Sequence, residues 1–278
     1  MRKILNSVFN LLISLFLVAI VLLPLLWMFL MSIKTEGDIM AWPPKFFFKP
    51  TFENYYNIFF NPANSRLSFT RVLKNSIIIT LITLLFSLGL STLAAYSIGR
   101  LKPVGYRGLN YMILGLRMIP PIAIVVPLFI IWNMIGLYDT IWGLIIPYVA
   151  INIPLATWLL EGFFEAIPRN LEDAAAIDGC TGFQAFRIII LPLAAPGIAA
   201  TSIFSFSLSW NNLTLPLPLT MSKAATLPVL ASQVRTDEGL LWGHLGAYSI
   251  LMIIPMIIFT IFSSKYLIGG ISSGAVKE

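Results

Sequence analysis

The feature that most constrains this chain is a succession of apolar runs, each about 20 residues long and nearly free of charge, which is the length a helix needs to cross roughly 30 Å of hydrocarbon. A strand would need about half that length and would alternate apolar with polar residues, which these runs do not. In lipid a backbone must satisfy its own hydrogen bonds, so such runs read as spanning helices. The composition agrees: 58% of the 278 residues are hydrophobic and 11% charged, more apolar surface than one soluble core could hide. The expected fold class is therefore all-α, a polytopic membrane protein treated as a single transmembrane domain over 1–278.

A sliding window places about six spans, at 11–33, 76–98, 111–132, 141–160, 194–217 and 247–268. The N-terminal run follows Arg2 and Lys3. It is too long for a signal peptide and lacks a small-residue cleavage site, so it reads as a retained first span. Residues 34–74 form a polar, aromatic-rich external loop containing Trp42-Pro43-Pro44, suited to a membrane interface.

The net charge of +6 does not point to nucleic acid, because the basic residues stand singly between apolar runs and act as flanking anchors. The second connection carries Arg100, Lys102 and Arg107 without an acid, and 133–140 carries no base, which puts the second connection and both termini in the cytoplasm. Lys34, Lys45, Lys49 and Arg66 in the first loop pull the other way, partly balanced by Glu36, Asp38 and Glu53. Cys180 is the only cysteine, so neither an internal disulfide nor a cysteine-based metal cluster can form. His244 is the only histidine, a poor zinc ligand or protease base without neighbours, and an interface position beside Trp242 in the last outer loop suits it better.

Ser87, Ser91, Ala95 and Gly99 recur every four residues, giving one face of small side chains suited to close helix approach, either within the chain or at a subunit interface. Prolines fall inside most spans, as in transporters with kinked helices and in spanning helices generally. Arg117, a turn or so inside the third span, either snorkels to the inner interface or lines a translocation pathway. Trp210, Asn211 and Asn212 are the most polar cluster of the fifth span; an aromatic face with amide donors suits a sugar ring, and the same amides suit helix packing equally.

The segment 167–192, IPRNLEDAAAIDGCTGFQAFRIIILP, reads as two short helices with a hinge. Asn170 can cap the first, with Glu172 and Asp173 in its first turn, where carboxylates favour the positive end of the macrodipole. Asp178-Gly179 ends it, since glycine accepts the left-handed conformation. Thr181 and Gln184 have the spacing of a capping box that starts the second. Such a rigid element can seat itself in a partner's cleft and pass movement to the spans on either side; the plainer reading is a solvated loop.

The string Asp173-Ala174-Ala175-Ala176-Ile177-Asp178-Gly179, followed by Ile188 to Pro192, resembles the EAA loop of binding-protein-dependent ABC importers, and the carbohydrate-uptake permeases in particular. Further strings in the family's order extend the resemblance over nearly the whole chain: Pro24-Leu25-Leu26-Trp27, Pro50 to Tyr55, Arg117 to Pro121, Trp210-Asn211, Thr226-Leu227-Pro228 and Gly274 to Lys277. Aspartate stands at position 173 where the family has glutamate, so a salt bridge from that position is weakened or taken over by Glu172. Asn212 and Ser264 depart from the family at positions often held by an acid and a glutamine.

The resemblance implies a non-enzymatic permease subunit in the cytoplasmic membrane, paired with a second, similar permease. It also implies two ATP-binding subunits and an extracytoplasmic solute-binding protein, moving a carbohydrate such as a disaccharide or oligosaccharide. Glu172, Asp173, Ala174, Ala175, Asp178, Gly179, Phe183 and Arg187 are the residues it implicates in coupling to the ATPase. The chain has no G-x-x-x-x-G-K-[ST] string, so ATP and magnesium belong on partner subunits and no cofactor or metal is expected here. The competing readings are a secondary transporter or channel, which calls for inverted repeats and mid-span ionisable groups, and an intramembrane hydrolase, which calls for a buried nucleophile and base together.

Overall fold

The computed structural model describes residues 2–60, 67–236 and 239–274. Arg66 and the string Ala275 to Lys277, used above for charge and resemblance, lie outside the described residues. The helices in chain order are α1 (Arg2–Ser32), α2 (Glu36–Ile39), α3 (Glu53–Phe60), α4 (Phe69–Tyr96), α5 (Tyr106–Leu116), α6 (Pro121–Ile135), α7 (Ile141–Ala166), α8 (Asn170–Ile177), α9 (Gly182–Ala185), α10 (Leu191–Leu193), α11 (Ala195–Trp210), α12 (Pro216–Leu219), α13 (Leu227–Ser232) and α14 (Trp242–Gly274). Two five-residue π-helical stretches, Ser97–Leu101 and Phe186–Ile190, follow α4 and α9. One two-stranded antiparallel ribbon pairs Arg235–Thr236 with Gly239–Leu240.

Among the described residues, four helical segments are long and apolar enough to cross a membrane: Phe9–Ser32, Phe69–Leu101, Ile141–Ala166 and Trp242–Leu267. Two bent pairs raise this to as many as six: Tyr106–Leu116 with Pro121–Ile135, at 84°, and Gly182–Leu193 with Ala195–Trp210, at 70°. The segment 111–132, expected as one continuous span, is thus interrupted at 117–120. Pro120 lacks an N–H and restricts the residue before it, so α5 ends and α6 starts afresh with Pro121 in its first turn. The segment 194–217 likewise differs: its helix stops at Trp210, and α12 begins at Pro216. Residues 69–74, assigned to the external loop, are the first residues of α4.

The chain divides into two compact units, 1–70 with 230–254 and 71–229 with 255–278. In the first, none of the apolar side chains in the spanning window of α1 from Phe9 on is buried within the chain, as suits a helix that faces lipid. Its end is stitched by buried Asn54, whose Nδ2 donates to the carbonyls of Ser32 at 3.0 Å and Lys34 at 2.8 Å. Glu36 accepts from the N–H of Gly243 at 2.7 Å, and Phe69 packs between Phe59 and Tyr248. His244 sits in the first turns of α14 rather than in a loop, and is 9% exposed.

In the second unit, α4, α7 and α11 form the packed centre. The small-residue face of α4 lies against α7: Ser91 Oγ donates to Ile153 O at 3.2 Å, and a Cβ on Gly99 would meet Glu161 O at 3.3 Å. Intramolecular packing therefore explains that strip. Asn152 on α7 donates to its own helix at Tyr148 O and to Ser209 Oγ of α11 at 3.1 Å. At the end of the unit remote from 167–192, Asp139 takes a left-handed conformation (φ 55°), and its carboxylate accepts the N–H groups of Met221, Ser222, Lys223 and Ala224 at 2.9 to 3.2 Å. Asn75 and Ser76 fasten the following residues to α4 through Lys223 O, Ala225 O and Leu227 N.

Candidate coupling site

The segment after α7 is shaped by local chemistry at each turn. Ile167 precedes Pro168, whose ring disfavours a helical residue before it, and Ile167 is accordingly extended at φ −74°, ψ 128°. Helix α8 then begins, but not as expected: Asn170 is already inside the helix, and Arg169, with helical backbone angles, occupies the cap position without a side-chain cap. The first turn is closed by backbone bonds from Glu172 and Asp173 N–H to Arg169 O at 2.9 and 3.2 Å. At the other end Gly179 is left-handed at φ 83°, Gly179 N–H donates to Ala176 O and Cys180 N–H to Ala175 O, the pair of bonds that closes a Schellman motif. Thr181 and Gln184 form the expected capping box, Gln184 N–H to Thr181 Oγ1 at 3.3 Å and Thr181 N–H to Gln184 Oε1 at 2.7 Å. The helix then continues through the π-helical stretch to Pro192.

This elbow is pinned to the spans by Glu172. Its Oε1 accepts from Tyr96 OH at 3.0 Å, and its Oε2 pairs with Arg100 Nη2 at 2.5 Å. The Arg100 side chain is 3% exposed and also donates to the carbonyls of Phe164, Ile167 and Pro168. A cation there meets the negative end of the α7 macrodipole as well as a carboxylate, which compensates for its desolvation. The π-helical turn Ser97–Leu101 is what aims Arg100 at α7, and π-helical turns are frequent at functional sites. Beneath the pair lies an apolar cluster of Ala95, Leu160, Phe164, Ile167, Phe186, Ile190 and Ala194, with the Tyr96 ring 4.6 Å from Phe186.

The residues implicated in coupling divide between this anchor and the outer face. Glu172 is the anchor, so it, and not Asp173, carries the salt bridge. Ala175 is buried at 3%, while Asp173, Ala174, Asp178, Gly179 and Arg187 are exposed. Phe183 is 68% exposed and Ile177 88%, large apolar side chains left bare on the segment.

The pathway candidates are not brought together. Arg117 is exposed at the end of α5, in the break before α6 and not within a continuous span. Trp210 is 2% exposed and stacks on Phe206 (5.6 Å), which stacks on Phe259 (4.2 Å), beside a cavity of about 450 Å³ lined almost entirely by apolar side chains. Asn211 is exposed, with Nδ2 3.8 Å from Met256 Sδ, and Asn212 Oδ1 accepts from Leu215 N–H at 3.1 Å to start α12. Sequence reasoning missed Arg100 and Tyr96 as partners of Glu172. Their spacing of four, which places them on one helix face, was the available signal.

A family model described as binding-protein-dependent transport system inner membrane component matches residues 87–268, the stretch that holds α7, the elbow and the helices packed on it. The chain belongs to this family. The trehalose transport system permease protein SugB of Mycobacterium tuberculosis is 41% identical over 266 residues, covering 92% of each chain. The trehalose/maltose transport system permease protein MalG of Thermococcus litoralis is 34% identical over 260 residues, covering 93% of this chain and 92% of that one. A crystal structure of a bacterial ABC transporter involved in alginate import contains a chain of the same fold, with a TM-score of 0.75 at 22% identity over 95% of this chain and 96% of that one. This binding-protein-dependent inner membrane component is accordingly a multi-pass permease subunit of an ABC importer, and the ATPase is a separate subunit.

Proposed function

We propose that this chain is one half of the translocation unit of a carbohydrate importer, and that residues 167–192 are where a partner ATPase seats and drives it. The observation that carries the reading is the elbow itself: its hinge fixed by the Gly179 turn and the Thr181–Gln184 capping box, bare on its outer face at Ile177 and Phe183, and tied by Glu172 to Tyr96 of α4 and to Arg100 in the π-helical turn that follows it. A push on α8 then reaches α4 and α7 directly, in addition to the helices joined to it by the chain. The carbohydrate class comes from relatives named for trehalose, trehalose/maltose and diacetylchitobiose transport.

The assembly has a second, similar permease, two ATP-binding subunits that hold ATP and magnesium, and an extracytoplasmic binding protein that delivers solute. Both termini and the elbow face the cytoplasm. The test is reconstitution of the importer in liposomes with radiolabelled trehalose and maltose. Uptake that requires ATP, the binding protein and the ATP-binding subunits supports the reading. Uptake by this chain alone contradicts it.

A further inference from the structure

Of the pathway candidates read from sequence, Trp210 lines an apolar space, whereas a more polar pocket is assembled elsewhere in the same unit. A pocket of about 390 Å³ between α5 and α7 is lined by Asn110, Trp158, Leu159, Glu161, Gly162 and Glu165. Its volume lies in the roughly 300–1,000 Å³ range of small-molecule sites. Residues 158, 161, 162 and 165 fall at helical spacing on one side of α7, in its last two turns before the elbow.

Glu161 is 8% exposed although it lies within a spanning helix. A carboxylate at such a position is a functional site by default, and a face carrying two carboxylates and an amide looks onto water or protein, not acyl chains. Oε1 of Glu161 accepts from Asn110 Nδ2 at 2.7 Å, and its other oxygen has no partner among the described residues. Asn110 Oδ1 is buried and also unpartnered. Trp158, 48% exposed, stands beside them. At the rim Glu165 already has a cation, Lys102 Nζ at 3.4 Å.

We infer that this pocket is a contact site for the transported carbohydrate on its way out of the importer, with the Trp158 ring against an apolar sugar face and Glu161, oriented by Asn110, holding a hydroxyl group. The inference rests on the carbohydrate reading above. A sugar hydroxyl is a donor as well as an acceptor, so it can donate to the carboxylate oxygen that Asn110 leaves free. A bare divalent cation fits less well, because it seeks about six oxygen ligands and Glu165 is already engaged. A site met after delivery governs turnover, while the external binding protein governs the concentration at which transport saturates.

The test uses the complete importer. An ideal Cβ on Gly162 meets nothing within 4 Å, so Gly162→Cys, in a Cys180→Ser background, places a thiol in the pocket without a clash. Uptake of labelled trehalose and maltose by the unmodified importer first reports on the carbohydrate reading. In inside-out vesicles the introduced thiol is then expected to react with a charged thiosulfonate reagent, and to be protected by the sugar that is transported. Failure to react, equal reaction with and without sugar, or protection by sodium or magnesium ions alone would overturn the pocket assignment while leaving the carbohydrate reading intact. Glu161→Gln, which removes a charge-assisted hydrogen bond, and Trp158→Ala, which removes an aromatic contact, are each expected to lower the maximal uptake rate about tenfold, at nearly unchanged KM and with ATPase assembly retained. Trp158→Phe restores most of the rate; unchanged maximal uptake in the first two variants contradicts the site.

Discussion

Arg100 and Glu172 stand 72 positions apart in the chain and 2.5 Å apart in space, and this pair joins the π-helical end of α4 to the first turn of the elbow. Removing Glu172 leaves the nearly buried Arg100 without its carboxylate, at a cost of about 3 kcal/mol, the low end for a buried pair because Glu172 itself is 24% exposed. Arg100→Gln and Glu172→Gln are therefore expected to lose uptake far more than they lose ATPase activity, because the motor still docks but moves a loosened elbow. Parallel measurement of uptake and ATP hydrolysis in liposomes checks this, and equal losses in both would point to failed assembly instead.

Gly179 occupies a left-handed position at which an added Cβ meets nothing within 4 Å, so a substitution there is strained but not crowded. Gly179→Val is expected to cost about 1–2 kcal/mol in backbone strain, abolish ATP-dependent uptake and leave membrane insertion intact. Gly179→Asn, which tolerates this conformation, should retain most activity. Uptake assays alongside quantitation of the inserted protein separate the two effects.

At the far end of the same unit, burial pushes the Asp139 carboxyl up, but four backbone N–H groups outweigh that and hold it below the usual carboxylate value of 3.8. Because the folded value is the lower one, the clamp's stabilisation is fully present above the ordinary carboxylate range and is lost only as pH falls through the depressed value. Thermal unfolding in detergent should thus show no pH dependence from Asp139 between neutral pH and about pH 5, and a loss of its stabilisation only below that. Asp139→Asn keeps the left-handed backbone but not the charge, and a loss of about 1 kcal/mol is expected for this partly exposed group.

Gly197 marks a tight approach of α11 to α7: a Cβ there would lie 2.3 Å from Phe163 Cγ. Gly197→Ala is expected to destabilise the packed centre by about 1–3 kcal/mol, the usual cost of overpacking, and Phe163→Leu should partly relieve it. Melting temperatures of the two single variants and the double variant measure the coupling.

What could be read from sequence, and what could not, follows the range of the interactions involved. Gly179 and the Thr181–Gln184 box depend on neighbours within a few residues, and both were legible. Asn170 failed as a cap because Arg169, just after Pro168, already adopts helical angles, so the helix starts one residue early. The break at Pro120 and the early stop at Trp210 were hidden because a hydropathy window averages across a bend without sensing it. Arg100 was visible only as a topological charge, since its carboxylate partner lies 72 residues further along the chain, beyond three intervening helices. Trp210 and its asparagines drew attention by composition, yet Trp210 packs against Phe206 and the asparagines organise helix ends. Glu161 and Asn110 become a site only when α5 folds against α7.

The most direct test of the account is photo-cross-linking from the elbow. Phe183, 68% exposed, can be replaced by the photoreactive benzoylphenylalanine, which keeps an aromatic side chain at that position. Irradiation of the importer in membranes is expected to join this chain to an ATP-binding subunit, with a yield that changes when ATP is added. Adducts to the extracytoplasmic binding protein, or none to any ATP-binding subunit, would contradict it.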